Sequence, residues 1–243
     1  MSQSTTSSPP LTVVLVHGAF ADSSSWSGVI ERLKAKGVSV VAAANPLRGI
    51  SIDSSYVAKL IHQIPGPVLA VGHSYGGAVI SNAAADAGNV VGLVFVAAFA
   101  PDEGERLGDV TAASKDSVLG SALVPQQYPN NGTTTTEFTL DTTKARDAFA
   151  ADLSEAQAAL IGVIQRPVSE LAFSEPSGAP AWKRLPSWAV VSTNDRAAGT
   201  DVVRAHAARA GAQITEVDGS HLIMVSKPDV VANVIEAAIA KVS

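Results

Sequence analysis

The chain has 243 residues, of which 47% are hydrophobic and 16% charged, a composition that suits one globular domain with a sizeable core and an insertion. Its 17 basic and 22 acidic residues give a net charge of −5 without any block of five like charges, so the basic patch that nucleic-acid binding needs is missing. Because the chain contains no cysteine, disulfides, thiolate nucleophiles and Cys-ligated zinc are excluded.

The first residues and the apolar runs bear on where the protein works. Residues 1–10 consist mostly of Ser, Thr and Pro, without a basic start or an apolar core, which predicts a flexible leader and not a secretory signal. The longest strongly apolar run, residues 90–100, is shorter than the roughly 20 residues of a membrane-spanning helix. We therefore expect a cytoplasmic protein without membrane or nucleic-acid partners.

Short Val-rich runs alternate with Ala-rich stretches of helical spacing. The runs predict strands at residues 12–16, 38–44, 68–72, 91–97, 188–192 and 213–217. The stretches between and after them predict helices at residues 26–36, 54–64, 76–87, 200–210 and 229–242. This alternation is typical of strands that crossover helices bury on both faces. The predicted fold class is α/β, with about six parallel strands flanked by helices and a core of residues 11–100 and 187–243.

A different pattern interrupts this core at residues 101–186. The Val-rich runs disappear, and helix-like segments at about residues 109–119 and 143–165 are separated by prolines and a polar stretch. An insertion of this length is usually a lid or a binding element, so we predict a small helical cap. The triplet Asn131-Gly132-Thr133 has the form of a glycosylation acceptor, which we do not expect to be used without a secretory signal.

One pentapeptide carries a candidate nucleophile. Gly72-His73-Ser74-Tyr75-Gly76 fits the G-x-S-x-G elbow, in which flanking glycines let the chain turn sharply enough to present the serine oxygen above the sheet. The pentapeptide follows a strand-like run and precedes a helix-like stretch, which is the setting that the elbow requires. A serine in an ordinary tight turn is the alternative interpretation.

A serine hydroxyl is a poor nucleophile unless a base removes its proton and an acid orients that base. His221 is the best candidate base, since it follows the last predicted strand, where the carboxyl ends of parallel strands meet. The other histidines fit less well by position: His17 precedes the nucleophile, His62 and His206 fall within predicted helices, and His73 adjoins the nucleophile. A surface-loop histidine at position 221 remains the alternative.

Asp195 is the best candidate acid, because it follows the predicted strand at residues 188–192. The chain order is then nucleophile, acid, base, which is the order of this architecture. Its rivals are Asp102 after the preceding strand, Asp201 at a predicted helix start and Asp218 close to the base.

The tetrahedral intermediate of acyl transfer also needs two backbone donors. The Tyr75 N–H, next to the nucleophile, supplies one, and the other is expected from the loop that contains His17 and Gly18. Gly18 allows close approach of the backbone there. His17 precedes this glycine, so we expect it to hold the loop by hydrogen bonds and not to act as the base.

These residues resemble the α/β-hydrolase superfamily, and within it the branch of plant methyl-ester esterases, hydroxynitrile lyases and their bacterial relatives. The matching segments are Val16-His17-Gly18-Ala19, Gly72-His73-Ser74-Tyr75-Gly76-Gly77, Phe95-Val96-Ala97-Ala98-Phe99-Ala100-Pro101, Asn194-Asp195-Arg196, and Gly219-Ser220-His221 with Lys227-Pro228. The resemblance implies a sheet topped by a small cap, a triad of Ser74, Asp195 and His221, and an oxyanion hole formed by the N–H groups of Ala19 and Tyr75.

The resemblance also separates the two chemistries of this branch. Hydroxynitrile lyases of this type generally carry Thr where Gly18 stands and Lys directly after the catalytic histidine, where this chain has Leu222. Both positions resemble the esterases. Superfamily members that open epoxides or remove halides use an aspartate nucleophile, which Ser74 argues against.

We therefore expect a serine hydrolase that cleaves small or medium carboxylic esters through an acyl-enzyme, without cofactor or metal. Its partner would be a small-molecule ester substrate bound near Gly18, Phe20, Leu222 and Trp182. Tyr128, Phe138 and Phe149 in the predicted cap are further candidates for substrate contact. A lyase on the same triad and a non-catalytic small-molecule-binding protein are the alternatives.

Overall fold

The computed structural model describes residues 9–243, so most of the predicted flexible leader at residues 1–10 lies outside the described residues. The strands are β1 (Thr12–Val16), β2 (Ser39–Ala43), β3 (Val68–His73), β4 (Val90–Val96), β5 (Leu123–Asn130), β6 (Thr133–Leu140), β7 (Val168–Ser169), β8 (Ser187–Ser192) and β9 (Gln213–Val217). The helices are α1 (Ser27–Ala35), α2 (Ile50–His62), α3 (Tyr75–Asp86), α4 (Leu107–Ala112), α5 (Ala145–Phe149), α6 (Glu155–Ile164), α7 (Leu171–Ser174), α8 (Thr200–Arg209), α9 (Ile223–Ser226) and α10 (Pro228–Val242).

Six strands form one parallel sheet in the order β2-β1-β3-β4-β8-β9. The strands β1, β3 and β8 are buried along their whole length, whereas the edge strands β2 and β9 are partly exposed. Apolar side chains on both faces of a strand favour this central position, because helices cover both faces of a parallel sheet. The six-stranded parallel sheet is confirmed, and each strand lies within one residue of its predicted bounds.

The strand order also decides which face each helix covers. The chain moves from β1 outward to β2 and then returns to β3, so right-handed crossovers place α1 on one face and α2 and α3 on the other. Accordingly, α2 packs on α3, and α1 packs on α10. Because the strands are parallel, the carboxyl ends of β3, β8 and β9 lie at the same edge of the sheet.

The last helix, α10, has a start signal and an apolar face that are both readable in the sequence. Pro228 occupies its first turn together with Asp229, whose charge suits the positive end of the helix dipole. Its buried side chains, which face the sheet, are Val231, Ala232, Val234, Ile235 and Ala238. None of the helices within residues 9–243 combines the length and the apolar character that a bilayer crossing requires.

The insertion at residues 101–186 is only partly helical, so the prediction of a helical cap is wrong for its middle. The strands β5 and β6 form an antiparallel hairpin to which the short β7 adds, while α4, α5, α6 and α7 supply the helices. Asn130 pairs with Thr133, which leaves Asn131 and Gly132 as a two-residue turn in which both φ angles are positive. Asn-Gly is the strongest short hairpin signal, and the Thr-rich segment after it favours a strand.

His206 on α8 is a buried imidazole that packs α8 against the end of β4. Its Nδ1 accepts a hydrogen bond from the Ala100 N–H at 3.0 Å, so this nitrogen carries no proton. Burial, assisted by the nearby charge of Arg209, lowers the pKa of His206 to about 4. The folded protein therefore holds this side chain neutral.

Acid should destabilise the protein partly through His206. The unfolded side chain takes up a proton near pH 6.5, whereas the folded one does so only at about pH 4, so the free energy of unfolding falls as the pH decreases between these values. One such histidine steepens the fall by about 1.4 kcal/mol per pH unit. We expect the free energy of unfolding of H206Q, measured by urea titration, to fall less steeply than that of the wild type between pH 7 and pH 4.5.

The control is H62Q, because His62 is exposed at the end of α2. A slope for H206Q equal to that of the wild type and of H62Q would contradict the burial-driven shift in the pKa of His206.

Candidate active site

The predicted elbow is the connection between β3 and α3, and Ser74 alone joins the two elements. Ser74 has φ 53° and ψ −123°, a left-handed conformation that costs a residue other than glycine about 1–3 kcal/mol. A Cβ atom on Gly72 would lie 2.4 Å from the Gly76 carbonyl oxygen, and one on Gly76 would lie 2.5 Å from the Val16 carbonyl oxygen. Any side chain at position 72 or 76 would therefore clash with the backbone. Ser74 itself is buried, with 6% of its surface exposed.

Asp195 and His221 form a buried hydrogen-bonded pair. His221 Nδ1 lies 2.8 Å from Asp195 Oδ2. The other carboxylate oxygen accepts hydrogen bonds from the N–H groups of Ala197 and Ala198, both at 2.9 Å. The Asp195 N–H is in turn fixed by Thr200 Oγ1 at 3.0 Å. Since a carboxylate accepts and does not donate, Nδ1 of His221 carries the proton and Nε2 is the basic nitrogen.

Ser74 is linked to this pair through its chain neighbour His73, and no hydrogen bond joins Ser74 to His221 within residues 9–243. His73, one residue before Ser74, contacts His221 with its ring centroid 4.7 Å away, and its Nε2 donates to the His221 carbonyl oxygen at 3.0 Å. Nε2 of His221 is buried and has no hydrogen-bond partner within residues 9–243. Catalytic hydrogen bonds are often long without substrate and tighten only in the complex. The structure therefore bonds two of the predicted triad residues directly, and the third follows His73, whose ring contacts that of His221.

The rival acids make contacts elsewhere. Asp102 pairs with Lys183, and Asp218 accepts a hydrogen bond from Asn194 Nδ2 at 2.7 Å. Asp201 accepts hydrogen bonds from Ser114 Oγ at 2.6 Å and from the Lys115 N–H at 2.9 Å. Since each is engaged in its own contacts, Asp195 is the acid that the geometry favours.

Two backbone donors are available beside the elbow. Tyr75 is the first residue of α3, so its N–H has no acceptor within the helix, and it makes no other hydrogen bond in the described part of the chain. The Ala19 N–H, in the loop after β1, also makes no hydrogen bond within residues 9–243. The positive end of the α3 dipole adds to the attraction for an anion at Tyr75.

The side chain of Tyr75 is anchored by a contact that no sequence motif indicated. Its hydroxyl donates to Asp53 Oδ2 at 2.7 Å, and both side chains are buried. The Arg48 N–H donates to the same carboxylate. Burial raises the pKa of Asp53 and, together with the charge of Asp53, raises the pKa of Tyr75 well above its usual value. The phenol therefore stays protonated as a donor, and this bond ties the start of α3 to α2.

His17 holds the loop after β1, as its position suggested. Its Nδ1 donates to the Gly18 carbonyl oxygen at 2.9 Å, and its Nε2 accepts from the Asn45 N–H at 3.1 Å. Burial lowers the pKa of His17 to about 4, and the nearby charge of Arg166 adds to this effect. Both ring nitrogens of this neutral imidazole are occupied, so it is unsuited to act as the base.

The residues predicted to contact substrate have different surroundings. Gly18 packs directly on the elbow, whereas Phe20 and Leu222 are buried and line a groove beside it. Trp182 is buried elsewhere, with its Nε1 donating to the Pro101 carbonyl oxygen at 3.1 Å. Phe149, from the cap, lies against His221 with ring centroids 4.7 Å apart. The sequence marked Phe149 only as one aromatic residue among several in the cap.

The chain belongs to the alpha/beta hydrolase family, whose profile matches residues 13–234. The predicted α/β-hydrolase fold is thereby confirmed. A search of the curated proteins finds no match.

Solved structures with the same fold include esterases and related enzymes. Polyneuridine aldehyde esterase is similar with a TM-score of 0.80 at 18% identity, over 95% of this chain and 100% of that chain. Tomato methylketone synthase I reaches 0.77 at 20% identity, over 97% and 100%. A pyrethroid hydrolase from Sphingobium faniae reaches 0.76 at 19% identity, over 96% and 98%. At 18–20% identity, these neighbours share the fold of this chain.

The close packing of Gly18 on the elbow can be tested by G18A. The added Cβ would lie 2.7 Å from Ser74 Cβ and 2.9 Å from His73 Nδ1, so the loop or the elbow must move. Overpacking of this kind should lower the free energy of unfolding by about 1–3 kcal/mol in urea titrations. The control is G88A, since a Cβ at Gly88 meets no atom within 4 Å. Equal stabilities of the two variants would contradict the tight packing at Gly18.

Proposed function

We propose that this protein is a serine hydrolase that cleaves carboxylic esters through an acyl-enzyme. The observation that carries the proposal is the buried Asp195–His221 pair, whose basic Nε2 has no partner among residues 9–243, together with a serine held in a strained turn. Three features then coincide at one edge of the sheet: a nucleophile, an oriented base and two free backbone donors. Acyl transfer is the reaction class that needs all three.

The proposed first half-reaction forms the acyl-enzyme. Ser74 Oγ attacks the ester carbonyl carbon while His221 Nε2 takes the hydroxyl proton, and Asp195 stabilises the resulting imidazolium. The N–H groups of Ala19 and Tyr75 bind the carbonyl oxygen as it becomes negative. When the tetrahedral intermediate collapses, the bond to the alcohol oxygen breaks and His221 returns its proton to the leaving alcohol.

The second half-reaction releases the acid. His221 Nε2 takes a proton from water, the hydroxide adds to the acyl carbon, and the bond to Ser74 Oγ breaks as the oxygen regains its proton. No cofactor is needed for these steps. The burial of Ser74 and His221 favours them, because hydrogen bonds to a developing charge are stronger where water is excluded.

The solved structures of the same fold agree with this reaction class without determining it. Polyneuridine aldehyde esterase and the pyrethroid hydrolase are named for hydrolysis. Gly18 and Leu222 resemble the esterases of the branch and not its lyases. An ester substrate is therefore preferred over a cyanohydrin.

Ser74 can be tested by S74A on a panel of p-nitrophenyl esters. Turnover should fall by about 10⁴–10⁶, because the residual rate then comes from binding and the oxyanion donors alone. A fluorophosphonate probe should label Ser74 of the wild type, which peptide mass spectrometry detects. The control S81A removes a buried hydroxyl from the same helix, α3, and should keep its activity. A loss below tenfold in S74A, with no labelling at Ser74, would refute the proposal.

Asp195 can be tested by D195N, which keeps the size of the side chain and removes its charge. The amide no longer favours the Nδ1–H form of His221, so kcat should fall by about 10⁴. The control is D218N, a rival acid in the neighbouring loop, which should stay within about threefold of the wild type. A larger loss of kcat in D218N than in D195N would contradict this role of Asp195 and assign it to Asp218.

A further inference from the structure

Beside the elbow, an open apolar groove of about 220 Å³ lies between the core and the cap. Its apolar lining comprises Phe20 and Ala21 from the loop after β1, Leu160, Ile161 and Ile164 from α6, and Leu222 and Val225 at α9. Its polar lining comprises Asp22, Ser24, Ser25 and Gln157. The groove lining is therefore mostly apolar, with a few polar side chains.

The helix α6 forms the cap side of the groove. Its groove-lining residues are Gln157, Leu160, Ile161 and Ile164, which follow the spacing i, i+3, i+4, i+7 of one helix face. Its buried positions, Ala158 and Gly162, lie on a different face, and Gly162 approaches Ala145 of α5. The helix thus packs into the cap through small residues and turns large apolar residues towards the groove.

The apolar side chains of α6 are unusually exposed. Leu160 is 58% exposed and Ile164 is 48% exposed. Contiguous apolar surface rimmed by polar residues commonly marks a binding site. The face of α6 is therefore suited to an apolar ligand.

Two residues of the groove lining are chain neighbours of the proposed catalytic residues. Phe20 directly follows Ala19, the proposed oxyanion donor, and Leu222 directly follows His221. Phe20 also contacts Phe149 edge to face with ring centroids 6.0 Å apart, and Phe149 lies against His221. A substrate held at Ser74 can therefore extend into the groove past Phe20 and Leu222.

We propose that this groove binds an uncharged apolar chain of the ester substrate, so that the enzyme prefers esters with an alkyl or aryl tail over short ones. The inference rests on the hydrolase reaction proposed above and names the substrate class for that site. The Asp22 carboxylate lies in the groove lining and disfavours a second carboxylate on the tail. The tail is therefore neutral as well as apolar.

The test compares p-nitrophenyl esters from acetate to decanoate. In the wild type, kcat/KM should rise up to about fourfold for each methylene that enters the groove. The variants L160Q and I164Q should lose at least tenfold on the octanoate and stay within about twofold on the acetate. Both residues are about half exposed, so these variants should fold.

Val163 provides the matched control. It lies on α6 and is 77% exposed, but it does not line the groove, so V163Q removes a similar apolar side chain without touching the proposed subsite. V163Q should keep the chain-length profile of the wild type. A profile that is flat in the wild type, or one that V163Q lowers as much as I164Q does, would overturn the subsite.

A binding measurement separates this inference from the reaction itself. Octan-1-ol, titrated by calorimetry, should bind the wild type and V163Q with equal affinity and I164Q at least tenfold more weakly. If no ester is hydrolysed, the hydrolase proposal fails, and equal octanol binding by I164Q and V163Q would refute the groove as well. A wild-type dimer in light scattering that L160Q converts to a monomer would also overturn the subsite, because a second copy would then cover α6.

Discussion

The reversal of the chain at Ser74 is the constraint on which the rest of the site depends. Ser74, with its positive φ angle, is the single residue at which the chain leaves β3 and enters α3. Two positions away on either side, Gly72 and Gly76 have no room for a side chain. The same crowding brings the loop after β1 against the elbow through Gly18. Because these backbones touch, the loop that carries Ala19 is held against the elbow that carries Tyr75. The packing around Ser74 thus holds its strained backbone in place, and the strained turn is part of how the site is arranged.

Burial assigns different tasks to the three imidazoles around the elbow. For His17 and His73, desolvation lowers the pKa and keeps the rings neutral, and they act as hydrogen-bonding parts of the framework. His221 is equally buried but is bonded to the carboxylate of Asp195. That partner stabilises a charge on the ring, which is what a base needs when it takes up a proton. Histidine therefore has a structural role at positions 17 and 73 and the proposed catalytic role at position 221.

The cap complements this rigid core with a more adaptable surface. Phe149 covers His221 and excludes water, while α6 turns exposed Leu and Ile side chains towards the groove. In the proposed reaction, the core residues hold the groups that react. In the same proposal, the cap residues contact the parts of the substrate that do not react.

The sequence by itself determined the α/β class, the bounds of the parallel strands and the candidate triad. These features depend on local patterns: buried runs of Val and Ala, a pentapeptide with two obligatory glycines, and polar residues directly after strands. The hairpin in the cap was also locally encoded at Asn131-Gly132, where a turn signal was taken only as a glycosylation acceptor and the strands beside it were missed.

Only the tertiary structure decided which distant residues touch. The bond from Tyr75 to Asp53 joins positions 22 residues apart, and Phe149 reaches His221 across 72 positions of the chain. Neither contact has a spacing that a sequence pattern reports, since each depends on how separate elements pack. The groove has the same origin. Apolar residues lie on several faces of α6, so the sequence does not indicate which face meets the core, and the packing of its small residues on α5 orients it.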